Sequence, residues 1–415
     1  MSTSKKPVQL AAFMMVKNEE KRVTVTLDSV KDIADHIVIF DTGSTDTTVE
    51  VVRKWCHDNR KILHLLEDTF VDFSTSRNQG LEFTETIEEV DWIILLDCND
   101  EVKNPSILRT VCEKIDKTHH TAVMISQEWL AGSNTTKYHN VRVIRPRVGW
   151  RYKGAVHEYL EQASAPPDHI FKAYQVVFYQ DRNADNDGKT NSRFKRDKEI
   201  LLAEVEKDPS DARSMYYLGQ TCECLCQWEE AINYYEKRAE MLNGFYEERY
   251  TALYHRGRCF ERLMRPDTVN AYLKAYSLDR RCEPLVKIGN LYQDKKDHRS
   301  AVLFYKEACQ IPYPDRILFV DKNMYDYERY HRLGISAYYA EEYFLGYVAC
   351  QKAIETGGNR PLDVSNLKFY VDKLKSINLT KAEWMSALIR AKLVIEPSSD
   401  ISKLLKWAEK EYIRR

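Results

Sequence analysis

Nowhere in the 415 residues does an apolar run approach the roughly 18 needed to cross a bilayer. This excludes a helical membrane span. The opening, MSTSKKPVQLAAFMMVKNEE, is basic and then apolar, but its apolar stretch holds Gln9, runs directly into charge and lacks a clear cleavage site. It reads as a first strand and not as a signal peptide. An excess of either charge is also missing. Lys and Arg total 62 against 63 for Asp and Glu, a net charge of −1, which gives no support to a nucleic-acid or membrane-surface protein. The ten cysteines contain no C-x-x-C pair. Their one cluster, Cys222, Cys224 and Cys226, has C-x-C-x-C spacing, and on a helix these side chains point in different directions. Free thiols in a reducing, cytoplasmic compartment are the expectation.

What is present falls into two unlike halves. Five of the 26 tyrosines precede residue 195 and 21 follow it. The first half carries short apolar, β-branched runs: VQLAAFMMV, HIVIF, KILHLL, WIILLD and TAVMIS. Helical stretches such as 45–59 and 76–89 separate them, and this alternation predicts a largely parallel sheet. The second half reads as helical throughout and repeats itself. Gly219 precedes Ala231 by twelve residues, Gly289 precedes Ala301 by twelve, and Gly334 precedes Gly346 by twelve. Gly257 and Ala271 form a looser copy, fourteen apart. The intervals between the first glycines, 38, 32 and 45 residues, are irregular. The pattern resembles the tetratricopeptide repeat, in which small residues let paired helices approach and aromatics fill the space between pairs.

Four polar segments stand out in the first half, three of which end an apolar run. MMVKNEE (14–20) leads into charge from Lys17 onward. In IVIFDTGSTDTT (37–48), Asp41 ends a strand, Gly43 permits a turn, and Ser44, Thr45 or Asp46 can cap the next helix. FSTSRNQGLE (73–82) puts Arg77 and Asn78 near a helix start. WIILLDCNDEV (92–102) drives four apolar residues into Asp97, Asn99, Asp100 and Glu101. A strand exit this polar is either a plain surface turn or a cation site at the carboxyl end of a sheet, where open α/β folds place their ligands.

Taken in this order, the segments resemble glycosyltransferase family 2 with the GT-A fold: strand-KNEE, D-x-G-S-x-D-x-T, R-N-x-G, then strand-D-x-D. YKGAVHEYL (152–160) is similar to the G-x-x-H-E segment of the branch that carries helical repeats, and RRCEPL (280–285) and YHRLGISAYY (330–339) are similar to that branch's helical half. The resemblance implies an α/β GT-A, Rossmann-like domain over 1–197 and an all-α tetratricopeptide-like domain over 198–415. It implies transfer of a sugar from a nucleotide sugar, expected to be a UDP-sugar, to a polypeptide or glycan acceptor. Asp41 would contact the uridine, with Arg77, Asn78 and Lys17 beside the nucleotide or its phosphates. A Mn2+ or Mg2+ ion would neutralise the departing diphosphate, held by Asp97 with Asn99 or Asp100, and His157 would fall where a third ligand or a phosphate contact sits. The second D-x-D position is Asn99, whose amide oxygen neutralises less charge than a carboxylate. Inversion by single displacement needs a base within reach of the acceptor, and Glu158 and Glu128 are the candidates.

Two rivals remain. A tetratricopeptide scaffold with a weak or inactive transferase half would bind a partner protein in its groove, and Asn99 is the one feature in its favour. A sugar-phosphate nucleotidyltransferase would carry a glycine-rich segment after the first strand, where MMVKNEE has no glycine. The repeats would serve an acceptor, a partner or a homo-oligomer.

Overall fold

A computed structural model describes residues 7–131, 134–154, 156–163, 168–183, 190–358, 360–397 and 399–414. The basic start and Ala155 of YKGAVHEYL lie outside the described residues. Tertiary contacts divide the chain into two units, Met1–Thr221 with Ile317–Phe319, and Cys222–Arg316 with Val320–Arg415.

The first unit begins β1 (Leu10–Val16), α1 (Val23–Val30), β2 (His36–Asp41), α2 (Thr48–Asp58), β3 (Ile62–Glu67), α3 (Phe73–Glu85) and β4 (Trp92–Leu96). It continues through β5 (Glu101–Lys103), α4 (Pro105–Ile115), β6 (Ala122–Ala131), β7 (Asn134–Ile144), β8 (Trp150–Lys153), β9 (Tyr159–Gln162) and β10 (Ile170–Asp181). The eight-stranded sheet runs β3-β2-β1-β4-β7-β6-β10-β5, and β8 pairs with β9 separately. β3, β2, β1 and β4 are mutually parallel. β7 runs antiparallel to both β4 and β6, β10 is parallel to β6, and β5 is antiparallel to β10. The sheet is therefore mixed: the apolar runs match its parallel half and, through TAVMIS, β6, while the antiparallel β7 between them matches no run.

Burial explains the difference. β2 and β4 are buried at every position and β1 at all but one, as parallel strands covered on both faces must be. Register then places the chemistry. Val16 lies beside Asp41, Asp41 beside Glu67, and Met14 beside Leu96. Lys17, Thr42 and Asp97 thus leave the sheet at one carboxyl edge, where strand order reverses between β1 and β4. Open α/β sheets bind ligands at such a switch point.

Two helices follow, α5 (Thr190–Lys207) and α6 (Ala212–Cys224). The expected division between 197 and 198 falls inside α5.

The second unit is helical: α7 (Trp228–Glu240), α8 (Tyr246–Arg262), α9 (Thr268–Leu278), α10 (Cys282–Asp294), α11 (His298–Gln310), α12 (Arg329–Tyr339), α13 (Tyr343–Gly357), α14 (Pro361–Lys375), α15 (Lys381–Ile395) and α16 (Ile401–Arg414). Each helix from α7 to α13 packs on the next, α15 returns to α13, and α16 packs on α15. The repeat residues sit at these crossings. A Cβ on Gly257 would lie 2.6 Å from the Tyr272 ring, and one on Gly334 would lie 2.7 Å from Cys350 Sγ. Tyr235, Tyr272 and Tyr305 are fully buried. The long third interval reflects the long connection 311–328 between α11 and α12, which ends in a π-helical turn, Met324–Glu328.

Candidate active site

Asp41, the last residue of β2, is buried. Its carboxylate accepts from Gly43 N at 3.2 Å, from Ser44 N at 3.0 Å and from the Ser44 hydroxyl. Gly43 has φ +95°, a left-handed conformation that favours glycine. The turn after β1 locks into this one. Asn18, itself at φ 57°, donates its N–H to Ser44 Oγ at 2.9 Å and accepts from Thr45 N at 2.7 Å. Glu20 accepts from Thr47 N at 3.1 Å and from its hydroxyl at 2.6 Å. The two strand ends form one hydrogen-bonded rim. α2 starts at Thr48, later than the expected 45, and Asp46 accepts the Thr48 N–H at 3.0 Å. Lys17 is exposed on the same rim.

At the end of β4, Asp97 is held from two sides. Arg77 Nη2 donates to Oδ1 at 2.6 Å, and Arg142 Nη1 donates to Oδ2 at 3.3 Å. Burial pushes the Asp97 carboxyl up, but the two guanidinium groups outweigh it and hold it well below the usual carboxylate range. Arg77 projects from the second turn of α3, whose start Asp72 fixes by accepting Thr75 N at 2.8 Å. Its Nε lies 3.0 Å from Glu158 Oε1, and its guanidinium sits over the Tyr152 ring at 5.3 Å. Arg77, Asp97 and Glu158 therefore converge.

Arg142 escapes sequence reasoning. It is the extra residue of a bulge in β7, because Val143 pairs with Val123 and Val141 with Met124. Bulges re-aim side chains beside functional sites. Here the side chain turns inward, donates to Leu95 O at 2.9 Å and also binds Asp100. The one available signal was a charge set between Val141 and Val143.

Asp100 is fully buried. It accepts from Asp97 N at 2.8 Å, Gln180 Nε2 at 2.8 Å and Gln127 Nε2 at 3.3 Å, besides Arg142. Burial and the neighbouring Asp97 push its carboxyl up, against Arg142. The structure makes it the floor beneath Asp97, with no surface open to an ion. Removing one partner of such a buried pair costs ~3–5 kcal/mol.

The other candidates separate. Asn78 donates to Tyr152 O at 2.9 Å and accepts from Tyr152 N at 2.7 Å, so it ties α3 to β8. Glu128 pairs with Lys137 at 2.9 Å, directly across β6 and β7. Its neighbour Gln127 reaches Asp100, and strand alternation sends Glu128 to the opposite face. His157 has φ 52° and stacks on Tyr217 at 4.1 Å. Burial, aided by Arg213 and Arg193, pushes its pKa down to about 4, which leaves the ring neutral.

Among the described residues no group of three or more His, Cys, Asp and Glu side chains gathers as a metal site. Asp97, with 32% of its side chain exposed, and the half-buried Asn99 offer hard oxygen donors. That pair fits Mg2+ or Mn2+ of the kind held by one or two protein oxygens, waters and substrate phosphates. It does not fit an ion caged by protein alone.

Residues 12–155 match the family described as glycosyl transferase family 2. The chain carries a glycosyltransferase family 2 domain followed by tetratricopeptide-like helical hairpins. It is 24% identical over 245 residues to the SPbeta prophage-derived glycosyltransferase SunS of Bacillus subtilis, covering 57% of this chain and 54% of that one. It is 28% identical over 158 residues to a TPR repeat-containing protein of Synechococcus elongatus, covering 37% and 36%. The chain thus spans about half the length, or less, of these curated relatives. Among solved structures, TarS of S. aureus is similar with a TM-score of 0.35 at 13% identity, covering 66% of this chain and 56% of that one. Among the described residues no helix is long and apolar enough to cross a membrane.

Proposed function

We propose that the chain transfers a sugar from a UDP-sugar to a polypeptide or glycan acceptor, with inversion, in the cytoplasm. The observation that supports this most is the meeting of Arg77, Asp97 and Glu158 at the carboxyl edge that also holds Asp41.

The Asp41 rim receives the uridine, because a carboxylate at a strand end accepts from uracil N–H or ribose hydroxyls. Arg77 faces the diphosphate, since its fork stays charged and matches phosphate geometry. Asp97 and Asn99 would hold a divalent ion, whose chemistry would be Lewis-acid stabilisation of the leaving group. Glu158 takes the proton from the acceptor hydroxyl, amide or thiol. The acceptor atom bonds to the anomeric carbon as the bond to the phosphate oxygen breaks, and UDP leaves with that electron pair. In the free protein Glu158 is paired with Arg77. The incoming diphosphate competes for this guanidinium and frees the carboxylate for its task.

A panel of UDP-glucose, UDP-galactose and UDP-N-acetylglucosamine, offered with Mn2+ and followed by mass spectrometry, tests the proposal. Release of UDP from at least one sugar supports it. A weakened transferase that serves as a scaffold is the second reading, favoured by Asn99. It predicts UDP binding without release from any donor.

A further inference from the structure

The loop that carries Glu158 is held in an unusual conformation. Gly154 has φ 90° and His157 φ 52°. A non-glycine residue in that region is uncommon and persists only where its surroundings hold it. Arg77 meets the loop through Glu158. The second anchor is Arg213, at the start of α6 and within the same compact unit. Its Nη2 donates to His157 O at 2.9 Å. Its guanidinium lies over the Tyr159 ring at 4.4 Å and over the Tyr217 ring at 4.8 Å. Tyr217 also stacks on the His157 ring. Asp211 sets the first turn of α6, accepting from Arg213 N at 3.0 Å and from the Ser214 hydroxyl at 2.6 Å. One side chain therefore grips the residues on both sides of Glu158, from a helix outside the 12–155 segment that the family describes.

We propose that Arg213 is a positioning residue for the reaction: it fixes the His157–Tyr159 backbone so that the Glu158 carboxylate stands where the acceptor proton is taken. The inference rests on the proposed role of Glu158. Geometry explains why arginine is needed. A planar fork can donate to a carbonyl while its face lies on two rings, and a lysine ammonium cannot do both. Placement matters because an error of about 1 Å at a reacting group can cost on the order of 100-fold in rate.

The test compares Arg213→Lys and Arg213→Ala with wild type in the full chain. Hydrogen exchange is read at the amides of 156–160 and at the Asp41–Thr48 turn. UDP affinity is measured by calorimetry, and kcat and KM by hydrolysis of whichever UDP-sugar the wild type cleaves. The expected result is local: exchange at 156–160 rises at least ten-fold, the Asp41 turn is unchanged, and UDP affinity stays within two-fold. The hydrolysis kcat falls ten-fold or more at constant KM, and lysine does not rescue it. Unchanged exchange at 156–160 in both variants, wild-type kcat in both, or faster exchange throughout the unit in both would overturn the proposal. A wild type that neither binds UDP nor cleaves any donor defeats the functional reading instead, while the exchange pattern still decides whether Arg213 anchors the loop.

Discussion

Arg77 stands between Asp97 at 2.6 Å and Glu158 at 3.0 Å, one arginine bridging the end of β4 and the loop before β9. Two residues twenty positions apart in sequence meet because α3 and β4 deliver their ends to the same edge. The bridge joins the group proposed to meet the diphosphate with the group proposed to act on the acceptor.

The first prediction concerns the ion. Asp97→Ala should abolish most donor cleavage, and excess chelator should do the same to wild type. The fold should survive, because Asp97 lies at a strand exit while Arg142 keeps Asp100 as its partner. Full turnover by the variant, with a folded circular dichroism spectrum, would remove Asp97 from the chemistry.

The second separates the two glutamates. Glu158→Gln should keep UDP affinity and lose transfer, since an amide of the same shape takes no proton. Glu128→Gln should retain near wild-type rates, because its carboxylate sits on the other face of the sheet against Lys137. Steady-state kinetics on both variants decides this, and a reversed outcome would assign the base to Glu128.

The third concerns the repeats. Gly257→Ala places a methyl 2.6 Å from the fully buried Tyr272 ring. Alanine gains up to ~1 kcal/mol in helix propensity, but overpacking costs ~1–3 kcal/mol. The net should be a lower thermal midpoint with UDP affinity intact. An unchanged or higher midpoint would show that α8 and α9 can shift to accept the methyl.

The fourth concerns acid. Burial pushes the Glu223 carboxyl up, but His255 at 2.6 Å, Arg258 at 3.2 Å and Tyr235 at 2.8 Å together bring it down to about 2. A depressed carboxylate stabilises the folded state above its unfolded value near 4.5 and loses that contribution as pH falls towards about 2. The gap corresponds to roughly 3 kcal/mol. Glu223→Gln should lower stability at neutral pH and flatten the acid limb across that window. Parallel denaturation curves for variant and wild type from pH 5 to 2.5 would show that Glu223 contributes nothing there.

The parallel half of the sheet was legible because buried parallel strands are continuous apolar runs, as in IVIF and WIILL. β7 was not, because NTTKYHNVRVI mixes charge, hydroxyls and rings along a strand. The polar residues at the strand ends could be picked out one by one, but their partners depend on long-range pairing. Arg142 reaches Asp97 only through a bulge. Asn78 stood beside Arg77 in sequence, yet its amide is taken up by the β8 backbone. Glu128 looked equivalent to Glu158 until strand parity placed it on the far face. α3 begins at Phe73, before the expected 76, because Asp72 caps it. The glycine–tyrosine rhythm of the helical half carried through most directly, since close helix crossings demand small residues at fixed intervals.

Every proposed role depends on where the nucleotide sits, and calorimetry of UDP with Mn2+ measures that most directly. Wild type should bind, and Asp41→Ala should bind roughly 10- to 100-fold more weakly, the loss of a charged acceptor worth ~1.5–3 kcal/mol. Equal UDP affinity in a folded Asp41→Ala protein would contradict the account and put the nucleotide elsewhere.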